Sequence, residues 1–563
     1  MHARALCQAA SRLPYGPMLR VLRASAVAGA LAALALASAA RADDAQPGAS
    51  GRPFTGTDAH GAVRGWADVH MHITANQRAG GRVLSGEPFD PAGIEQALGQ
   101  DAGEHGADGS LDVTGNLLRD GLPFGTHDAH GWPTFAGWPT HDTMTHQQSY
   151  YVWLQRAWLA GERLIVAQTV EDEPICRIEP VRSHTCSEPA AIRQQIATLR
   201  RLQAFVDAQS GGPGRDWFRL VYDPGQARRA IARSKLAVVI GIEWSDPFGC
   251  SVHNGRPACT SAQVDRRLEA FRRLGVRSLF IAHWIDNAFA GAALEGGARG
   301  AFINTFNRLQ TGRWFRTGSC PQAGEGEEVD TLTQGELQVL ASFFPITQPI
   351  ADEGMPSYPP GRQCNARGLT ALGRHLVMRM MDLHMLIEVD HLSERARARV
   401  LLMAERRRYP LVSSHTDTGG TWTGKDLRRL YATGGFAVAR PDTAGPLAAR
   451  VVELARLSRR VRGAGVGLGS DTGGFAALPG PRPDAGVNPL RYPFRSIDGN
   501  VVFDRQRTGE RTFDLNVDGV AHYGLFADLL ADMRSSRRGS EAVAVLFRSA
   551  EAYLRTWRLA LRR

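Results

Sequence analysis

Seven side chains that can bind metal ions or transfer protons lie at the ends of short apolar runs in this sequence. They are His70, His72, Glu243, His283, His391, His415 and Asp471. His70 and His72 are two residues apart, so on a β-strand both imidazoles point to the same side and can reach one ion. Glu243 closes the apolar run LAVVIGI, where a bare buried carboxylate is costly and therefore needs a partner.

Four imidazoles and one shared carboxylate form a donor set that suits Zn²⁺ or a similar transition metal ion. One glutamate between two histidine pairs matches the stoichiometry of a bridged two-metal centre. Each residue alone also fits an ordinary role: a strand-end histidine is usually hydrogen-bonded in the core, Asp471 precedes a Thr-Gly-Gly turn, and Glu243 has many arginines to pair with. Together the ordinary roles require six coincidences of position, and we therefore predict a site.

Eight apolar runs predict the β-strands that position these side chains. They are residues 66–71, 164–169, 236–243, 278–282, 386–389, 411–413, 436–439 and 466–469. Helical patterns separate them, as over 261–274, where Thr260 is a candidate cap and Gly275 a stop. Strands that alternate with helices form parallel βα units, and eight such units predict an α/β fold, a closed (β/α)8 TIM-like barrel. The carboxyl ends of its strands converge on one face, which brings the seven side chains together.

Two long stretches interrupt this alternation, at about residues 79–148 and 290–365, and we expect both to be insertions in one domain over 65–563. Loops of this length in a compact domain are usually functional lids or disordered. The first insertion is rich in histidine and tryptophan, namely His127, His130, His141, His146, Trp132 and Trp138. Two interpretations stay open: these side chains line the mouth of the site, or the aromatic rings of an exposed loop pack on the barrel.

At these motifs the sequence resembles the membrane (renal) dipeptidase family of zinc metallopeptidases, part of the wider amidohydrolase-type barrel group. The matching segments are DVHMH at 68–72, VIGIEW at 239–244, LGVRSLFIAHWIDNAFA at 274–290, GLTALGRHLVMRMMDLHMLIEVDHLSE at 368–394, YPLVSSHT at 409–416, GVGLGSDTGG at 465–474 and EAYLRTW at 551–557. They occur in family order and span most of the chain after residue 42.

The resemblance implies a cofactor of two divalent metal ions, expected to be Zn²⁺, and assigns their ligands. Glu243 would bridge the ions, with His70 and His72 on one ion and with His391 and His415 on the other. Two cations lower the pKa of a bridging water, so that hydroxide exists near neutral pH, and they polarise the scissile carbonyl.

The resemblance also implies two roles in catalysis. His283 would contact the substrate and stabilise the tetrahedral oxyanion. Asp471 would accept the proton of the attacking water and return it to the leaving amine.

Two departures from the family pattern bear on specificity. Where the family has H-x-D, this chain has H-x-H at 70–72, which removes one negative charge from the centre. The family also has an arginine about a dozen residues beyond its second zinc-binding histidine. After His415 this chain offers Lys425, Arg428 and Arg429 without a convincing equivalent. Both changes put dipeptide specificity in question and leave the hydrolytic core unchanged.

The amino-terminal segment predicts export. Residues 1–42 contain five arginines and no acid, so they supply half of the net charge of +10. An apolar run at 24–40 leads to the sequence Ala40-Arg41-Ala42, a small-residue cleavage site, and the whole is typical of a secretory signal peptide. An uncleaved anchor is the alternative. Residues 43–64 are rich in Gly, Asp and Ala and predict a flexible leader.

Cysteine usage fits an exported protein in the periplasm or outside the cell. Six cysteines remain after residue 42, and sequence proximity favours the disulfides Cys176–Cys186, Cys250–Cys259 and Cys320–Cys364. Six unpaired thiols are the alternative interpretation.

These patterns predict an exported metal-dependent hydrolase that cleaves small amide or dipeptide substrates with a metal-bridging hydroxide. Two alternatives stay open: a metal-dependent lactone or phosphoester hydrolase on the same barrel, and a catalytically silent secreted binding protein. The expected partner is a small-molecule or dipeptide substrate, with a homodimer as a further candidate. We predict no nucleic-acid partner, because the arginines are spread along helices, and no membrane span after signal cleavage.

Overall fold

Eight parallel strands close into a barrel in the computed structural model, which describes residues 45–179, 182–417 and 422–562. They are β1 (Trp66–Met71), β2 (Glu162–Glu171), β3 (Leu236–Trp244), β4 (Val276–Phe280), β5 (Leu386–Glu388), β6 (Val412–Ser413), β7 (Phe436–Ala439) and β8 (Val466–Leu468). Each strand pairs in parallel with the next, and β8 returns to β1 through Leu468 and Asp68. The predicted (β/α)8 fold is confirmed.

Helices connect consecutive strands, and one follows the last strand. They are α1 (Tyr151–Leu159), α2 (Glu188–Gln209), α3 (Ser261–Arg273), α4 (Ala371–Asp382), α5 (Glu394–Arg407), α6 (Gly424–Ala432), α7 (Ala444–Ser458) and α8 (Ser549–Ala560). Helix α3 begins where the sequence predicts, because the Thr260 side chain accepts a hydrogen bond from the backbone N–H of Gln263. It ends before Gly275, whose φ of +101° lies in the left-handed region.

The barrel strands were predictable because both of their faces are covered. Every residue of β3, LAVVIGIEW, is buried, and strands between a barrel core and a ring of helices read as continuous apolar runs. All eight predicted runs are strands, and no predicted end differs from the observed one by more than two residues.

Further helices and strands surround the barrel. The other helices are Ala75–Gln77, Ile94–Leu98, Ala102–His105, Val113–Asp120, Glu173–Ile178, Pro224–Ile231, Pro247–Gly249, Gly297–Thr311, Gln334–Phe343, Pro345–Thr347, Gln348–Glu353, Leu515–Asp518, Tyr523–Leu525, Phe526–Ser535 and Gly539–Leu546. The other strands are Ala49–Gly51, Phe218–Leu220, Val252–His253, Arg256–Pro257, Thr317–Gly318, Cys364–Asn365, Phe494–Arg495, Val501–Phe503, Gln506–Thr508 and Arg511–Phe513. Both predicted insertions therefore contain several short helices.

One region differs from the sequence expectation. Phe218–Leu220 forms an unpredicted ninth strand on the edge of β3, since three residues are too few to give a periodic signal. Within the described part of the expected leader, Ala49–Gly51 pairs with Val501–Phe503 and Val63 is buried, whereas residues 50–52 and 58–61 are exposed. Flexibility of the leader stays a prediction. The predicted signal peptide at 1–42 lies outside the described residues.

Three disulfides join the cysteines as the sequence predicts. They are Cys176–Cys186, Cys250–Cys259 and Cys320–Cys364. These bonds are consistent with an exported protein, because disulfides persist in oxidising compartments. None of the helices in the described ranges is long and apolar enough to cross a membrane.

The carboxyl group of Glu388 lies inside the barrel. The hydroxyls of Ser278 and Ser414 donate hydrogen bonds to it over 2.6 and 2.8 Å. Burial raises the pKa of Glu388 to about 8, and the two hydrogen bonds oppose this shift only in part. The group is therefore largely neutral near pH 7 in the folded protein and ionised in the unfolded chain.

We expect Glu388 to make the protein less stable as the pH rises from about 5 to 8. The folded state keeps its proton in this range and the unfolded state does not, so the free energy of unfolding falls by roughly 1.4 kcal/mol per unit of pKa difference. Urea unfolding at pH 5 and pH 8.5 measures this slope. We expect Glu388→Gln to reduce the dependence of the unfolding free energy on pH. Glu453→Gln, an exposed control on α7, should leave this dependence unchanged. Equal slopes for the wild type and Glu388→Gln would contradict the assignment.

Candidate metal centre

The ends of β1, β3 and β8 bring two imidazoles and two carboxylates together. His70 lies in β1 and His72 directly follows it, and their Nε2 atoms are 3.1 Å apart. These atoms lie 3.5 and 3.4 Å from Oε2 of Glu243 in β3. Asp471, three residues after β8, places Oδ1 3.1 Å from His72 Nε2. The predicted neighbours along H-x-H thus face the same space.

A second part of the same cluster comes from β5 and β6. His391 Nε2 lies 3.2 Å from Glu243 Oε1, and His415 Nε2 lies 3.6 Å from Asp471 Oδ2. The rings of His70 and His415 are also close, with centroids 4.0 Å apart. All five predicted ligands therefore lie in one buried cluster.

The structure divides this cluster into three overlapping groups whose donor atoms lie within 4.8 Å of one another. They are His70 with Glu243 and His415, His70 with His72 and Asp471, and Glu243 with His283 and His391. None of these groups, found among the described residues, contains both His391 and His415, so the assignment of that pair to one ion stays a prediction.

The protons of His70 and His72 show that the cluster fits cations. His72 Nδ1 lies 2.9 Å from the carbonyl oxygen of Gln168, which can only accept, so Nδ1 carries a proton, and in the neutral ring Nε2 has a lone pair. His70 Nδ1 lies 3.1 Å from Ser414 Oγ, whose own proton goes to Glu388, so His70 Nε2 also has a lone pair. Two lone pairs and two carboxylates facing one buried space make a donor set for divalent ions.

His283 occupies the end of a buried chain of charged groups. Its Nδ1 donates to Asp172 Oδ1 over 2.8 Å, and Arg78 Nη2 donates to Asp172 Oδ2 over 2.6 Å. Its Nε2 points back into the cluster, 3.7 Å from Glu243 Oε2. Asp172 therefore orients the imidazole that the sequence predicts to contact the substrate.

The electrostatics of the cluster favour ionised acids. Burial by itself raises the pKa of Glu243, but the imidazoles of His283 and His70 outweigh it and hold that pKa well below its usual range. Burial likewise opposes ionisation of Asp471, and His415 holds its pKa well below normal. Burial lowers the pKa of His391 to about 4, which leaves its imidazole neutral and able to bind a metal ion.

Two residues of the cluster have unusual backbone conformations. His391 has a φ of +58° and Asp471 a φ of +55°, in the left-handed region that non-glycine residues rarely adopt. Such conformations cost about 1–3 kcal/mol each and occur often at functional sites. Each residue lies three positions after the end of its strand, where the backbone turns and points the side chain into the cluster.

Sequence reasoning missed Asp172 and the hydroxyl of Ser414. Strand β2 was predicted to end at Thr169, whereas it runs to Glu171 and is followed at once by Asp172. Extending the run by two residues would have revealed a seventh strand end with an acid. Ser414 gave no such signal, because a serine beside a histidine is common.

The histidines of the first insertion do not share one location. His127 and His146 lie near Asp101 and His105, in a separate group of possible ligands. His130 is exposed and bonded to Asp128. Trp138 is fully buried and Trp132 packs beside it, so these rings belong to the packing of the insertion.

The basic residues after His415 do not reach the cluster as free charges. Arg429 donates to Glu405 and Asp426, while Lys425 and Arg428 are exposed. The expected lack of the family's substrate-binding arginine in this segment stays a prediction.

Comparison with known proteins supports the resemblance. Residues 327–421, which include His391 and His415, match the model of the membrane dipeptidase family, peptidase family M19. This match confirms the predicted family resemblance, and with it the prediction of a metal-dependent hydrolase. No curated protein sequence matches the chain.

Solved structures give only distant likenesses. An amidohydrolase from Pseudomonas aeruginosa is 12% identical, with 73% of this chain and 92% of that chain covered and a TM-score of 0.38. The dipeptidase AC, a metallo peptidase of family M19, is 14% identical, with 72% and 88% covered and a TM-score of 0.38. A metallo peptidase from Rhodobacter sphaeroides, bound to a phosphinate mimic of the dipeptide L-Ala-D-Ala, is 15% identical, with 58% and 78% covered and a TM-score of 0.35. The barrel assignment rests on the strand pairing of this chain.

We expect Asp172→Asn to lower kcat/KM about 10- to 100-fold, because Asp172 orients His283. Burial alone would lower the pKa of His283. The carboxylate of Asp172 outweighs burial, so the pKa is raised and the imidazolium persists to higher pH. Without this carboxylate the alkaline limb of the pH–rate profile should move to lower pH. Glu173→Gln, the adjacent acid that does not contact His283, is the matched control, and an unchanged alkaline limb in Asp172→Asn would contradict the role.

Proposed function

We propose that this protein is an exported binuclear-metal hydrolase of small amide or dipeptide substrates. The observation that carries the proposal is the position of Glu243, whose two oxygens face different histidines: Oε2 faces His70 and His72, and Oε1 faces His391. Export is supported by the signal-like sequence of residues 1–42 and by the three disulfides.

In this proposal Glu243 would be shared by two divalent ions, expected to be Zn²⁺. His70 and His72 would hold one ion, and His391 and His415 would hold the other. When bound, such a pair of ions supplies a water of lowered pKa and polarises the carbonyl of the substrate. The hydrogen bonds at the Nδ1 atoms of His70 and His72 fix both rings with their lone pairs towards the centre.

Asp471 moves the proton. Its carboxylate is ionised, faces His72 with one oxygen and His415 with the other, and lies at the end of β8 on the catalytic face. An ionised carboxylate here can take the proton of the attacking water and return it to the leaving amine.

His283 stabilises the charge that develops on the substrate. With Nδ1–H donated to Asp172, the ring can donate from Nε2 only as the imidazolium, and Asp172 is the partner that favours this form. A donor fixed before the reaction is worth more than one that must reorient.

An apolar cavity whose lining includes the residue after His283 suggests which chemical group the substrate bears. It has a volume of about 220 Å³, and its lining includes Ile175, Trp284, Phe302 and Phe475. Trp284 directly follows His283, and the two ring centroids are 4.9 Å apart. Residues of both insertions, such as Leu118 and Phe302, complete the wall. We therefore infer that one side of the scissile amide bears an apolar group.

Glu243→Gln tests the proposal directly. Replacing the bridging carboxylate removes one negative charge between the two sites, so we expect loss of bound metal and a fall in dipeptide hydrolysis of about 10³-fold or more. Metal content by mass spectrometry and hydrolysis of a dipeptide panel are the measurements. Glu325→Gln, which alters a buried carboxylate paired with Arg397, is the control and should keep both properties.

The same assay separates the alternatives. Turnover of lactones or phosphoesters with no dipeptide cleavage would show that the same centre cleaves an ester bond and not an amide. A wild type that binds no metal and hydrolyses none of the three substrate classes would refute the enzyme assignment and favour a secreted binding protein.

Trp284→Ala tests the apolar cavity. Removing the indole should raise KM about 10-fold for dipeptides with large apolar side chains and change KM little for Gly-Gly, because only the former fill the cavity. Steady-state kinetics on the two substrate types give the ratio. Val339→Ala, at an exposed valine in the second insertion, serves as control; an equal rise for both substrates would contradict the inference.

A further inference from the structure

A second cluster of metal-binding side chains lies in the first insertion, away from the residues assigned above. Asp101, His105, His127 and His146 place their donor atoms within 4.8 Å of one another. Three of the four side chains are at most 4% exposed, and His127 is 10% exposed. No spacing motif in the sequence marks this group.

All three imidazoles converge on one oxygen. Asp101 Oδ2 lies 3.0 Å from His105 Nδ1, 2.6 Å from His127 Nε2 and 2.6 Å from His146 Nε2. The other oxygen, Oδ1, is buried and has no hydrogen-bond partner in the part of the chain that the structure describes. A carboxylate that only accepted hydrogen bonds would spread three donors over both oxygens, which offer about four lone pairs.

A second hydrogen bond fixes the ring of His105. Its Nε2 lies 3.0 Å from the carbonyl oxygen of Val83, which can only accept, so Nε2 carries a proton and Nδ1 faces Asp101 Oδ2. In the neutral ring, which is the form that binds metal ions, the lone pair of Nδ1 therefore points at the space that the other donor atoms surround.

We propose that Asp101, His105, His127 and His146 form a closed structural site for a zinc-like divalent ion. Three imidazole nitrogens and one carboxylate oxygen are the ligand types and the number that tetrahedral Zn²⁺ takes in structural sites. Hard cations such as Ca²⁺ and Mg²⁺ prefer oxygen ligands and do not match this set. Four protein ligands leave no position for substrate, so the ion would stabilise the fold. The site is additional to the catalytic centre of the proposed function and takes no part in hydrolysis.

The bound ion would order the wall of the apolar cavity. Its ligands tie residues 101–105 to two distant points of the same insertion. His146 is held further by Thr143 Oγ1, 2.6 Å from Nδ1, and by the ring of Trp138, which stacks on it at 4.9 Å. Met144, two residues before His146, lines the cavity beside Trp284. Occupancy of this site therefore bears on the shape of the cavity as well as on stability.

The test counts metal ions in the full chain. After loading with Zn²⁺ alone and dialysis, we expect about three ions per chain in the wild type and about one fewer in His127→Ala. His130→Ala, an exposed histidine of the same insertion, is the matched control and should keep the wild-type count. Thermal unfolding should show a melting temperature lower by on the order of 2 to 5 °C in His127→Ala only.

The outcome does not depend on the catalytic centre. A Glu243→Gln/His391→Ala variant with an emptied centre should keep one ion, and combining it with His127→Ala should remove that ion. Equal metal counts in the wild type and His127→Ala would overturn the proposal. If His127→Ala does not fold, anomalous diffraction at the zinc edge from wild-type crystals decides the question: a peak among the four side chains supports the site, and its absence overturns it.

Discussion

A carboxylate at the end of a wholly buried strand is the constraint around which the catalytic face is built. Glu243 follows seven apolar residues of β3 and is 2% exposed, so its charge has little access to water. The imidazoles of His70, His72, His283 and His391 lie within 3.7 Å of its oxygens. A carboxylate so placed stays ionised only because these imidazoles stabilise its charge.

Groups in the barrel interior and in the loops after the strands orient these side chains. His391 and Asp471 adopt left-handed backbone conformations three residues after their strands, a cost that the surrounding packing has to offset. His70 is oriented by Ser414, which in turn bonds to Glu388 in the barrel interior. Polar groups inside the barrel are therefore linked by hydrogen bonds to a candidate metal ligand. A substitution in the barrel interior would therefore change the orientation of His70 even though the substituted residue does not contact substrate.

Much of this arrangement could be predicted, because the physics that forms it also leaves a local pattern. The eight strands are buried on both faces and read as apolar runs, and the polar residue that ends a run, such as Glu243 or His415, stands out. Asp172 was missed because β2 continues through Glu171, where the apolar pattern has already stopped. The cluster of Asp101 with His127 and His146 was missed for another reason: its members meet only through loop folding, and no periodicity records such contacts.

All three disulfides lie in loops on the same side of the barrel, and their position bears on when the rim of the catalytic face becomes cross-linked. Each one closes a loop that follows the carboxyl end of a strand: Cys176–Cys186 after β2, Cys250–Cys259 after β3 and Cys320–Cys364 after β4. The strands of the barrel contain no cysteine. Pairing of the barrel strands therefore requires no disulfide, whereas the loops at the rim of the catalytic face are cross-linked only once the cysteines are oxidised. For a protein proposed to leave the cytoplasm, this order would delay the finished rim, and with it full hydrolytic competence, until the chain reaches an oxidising environment.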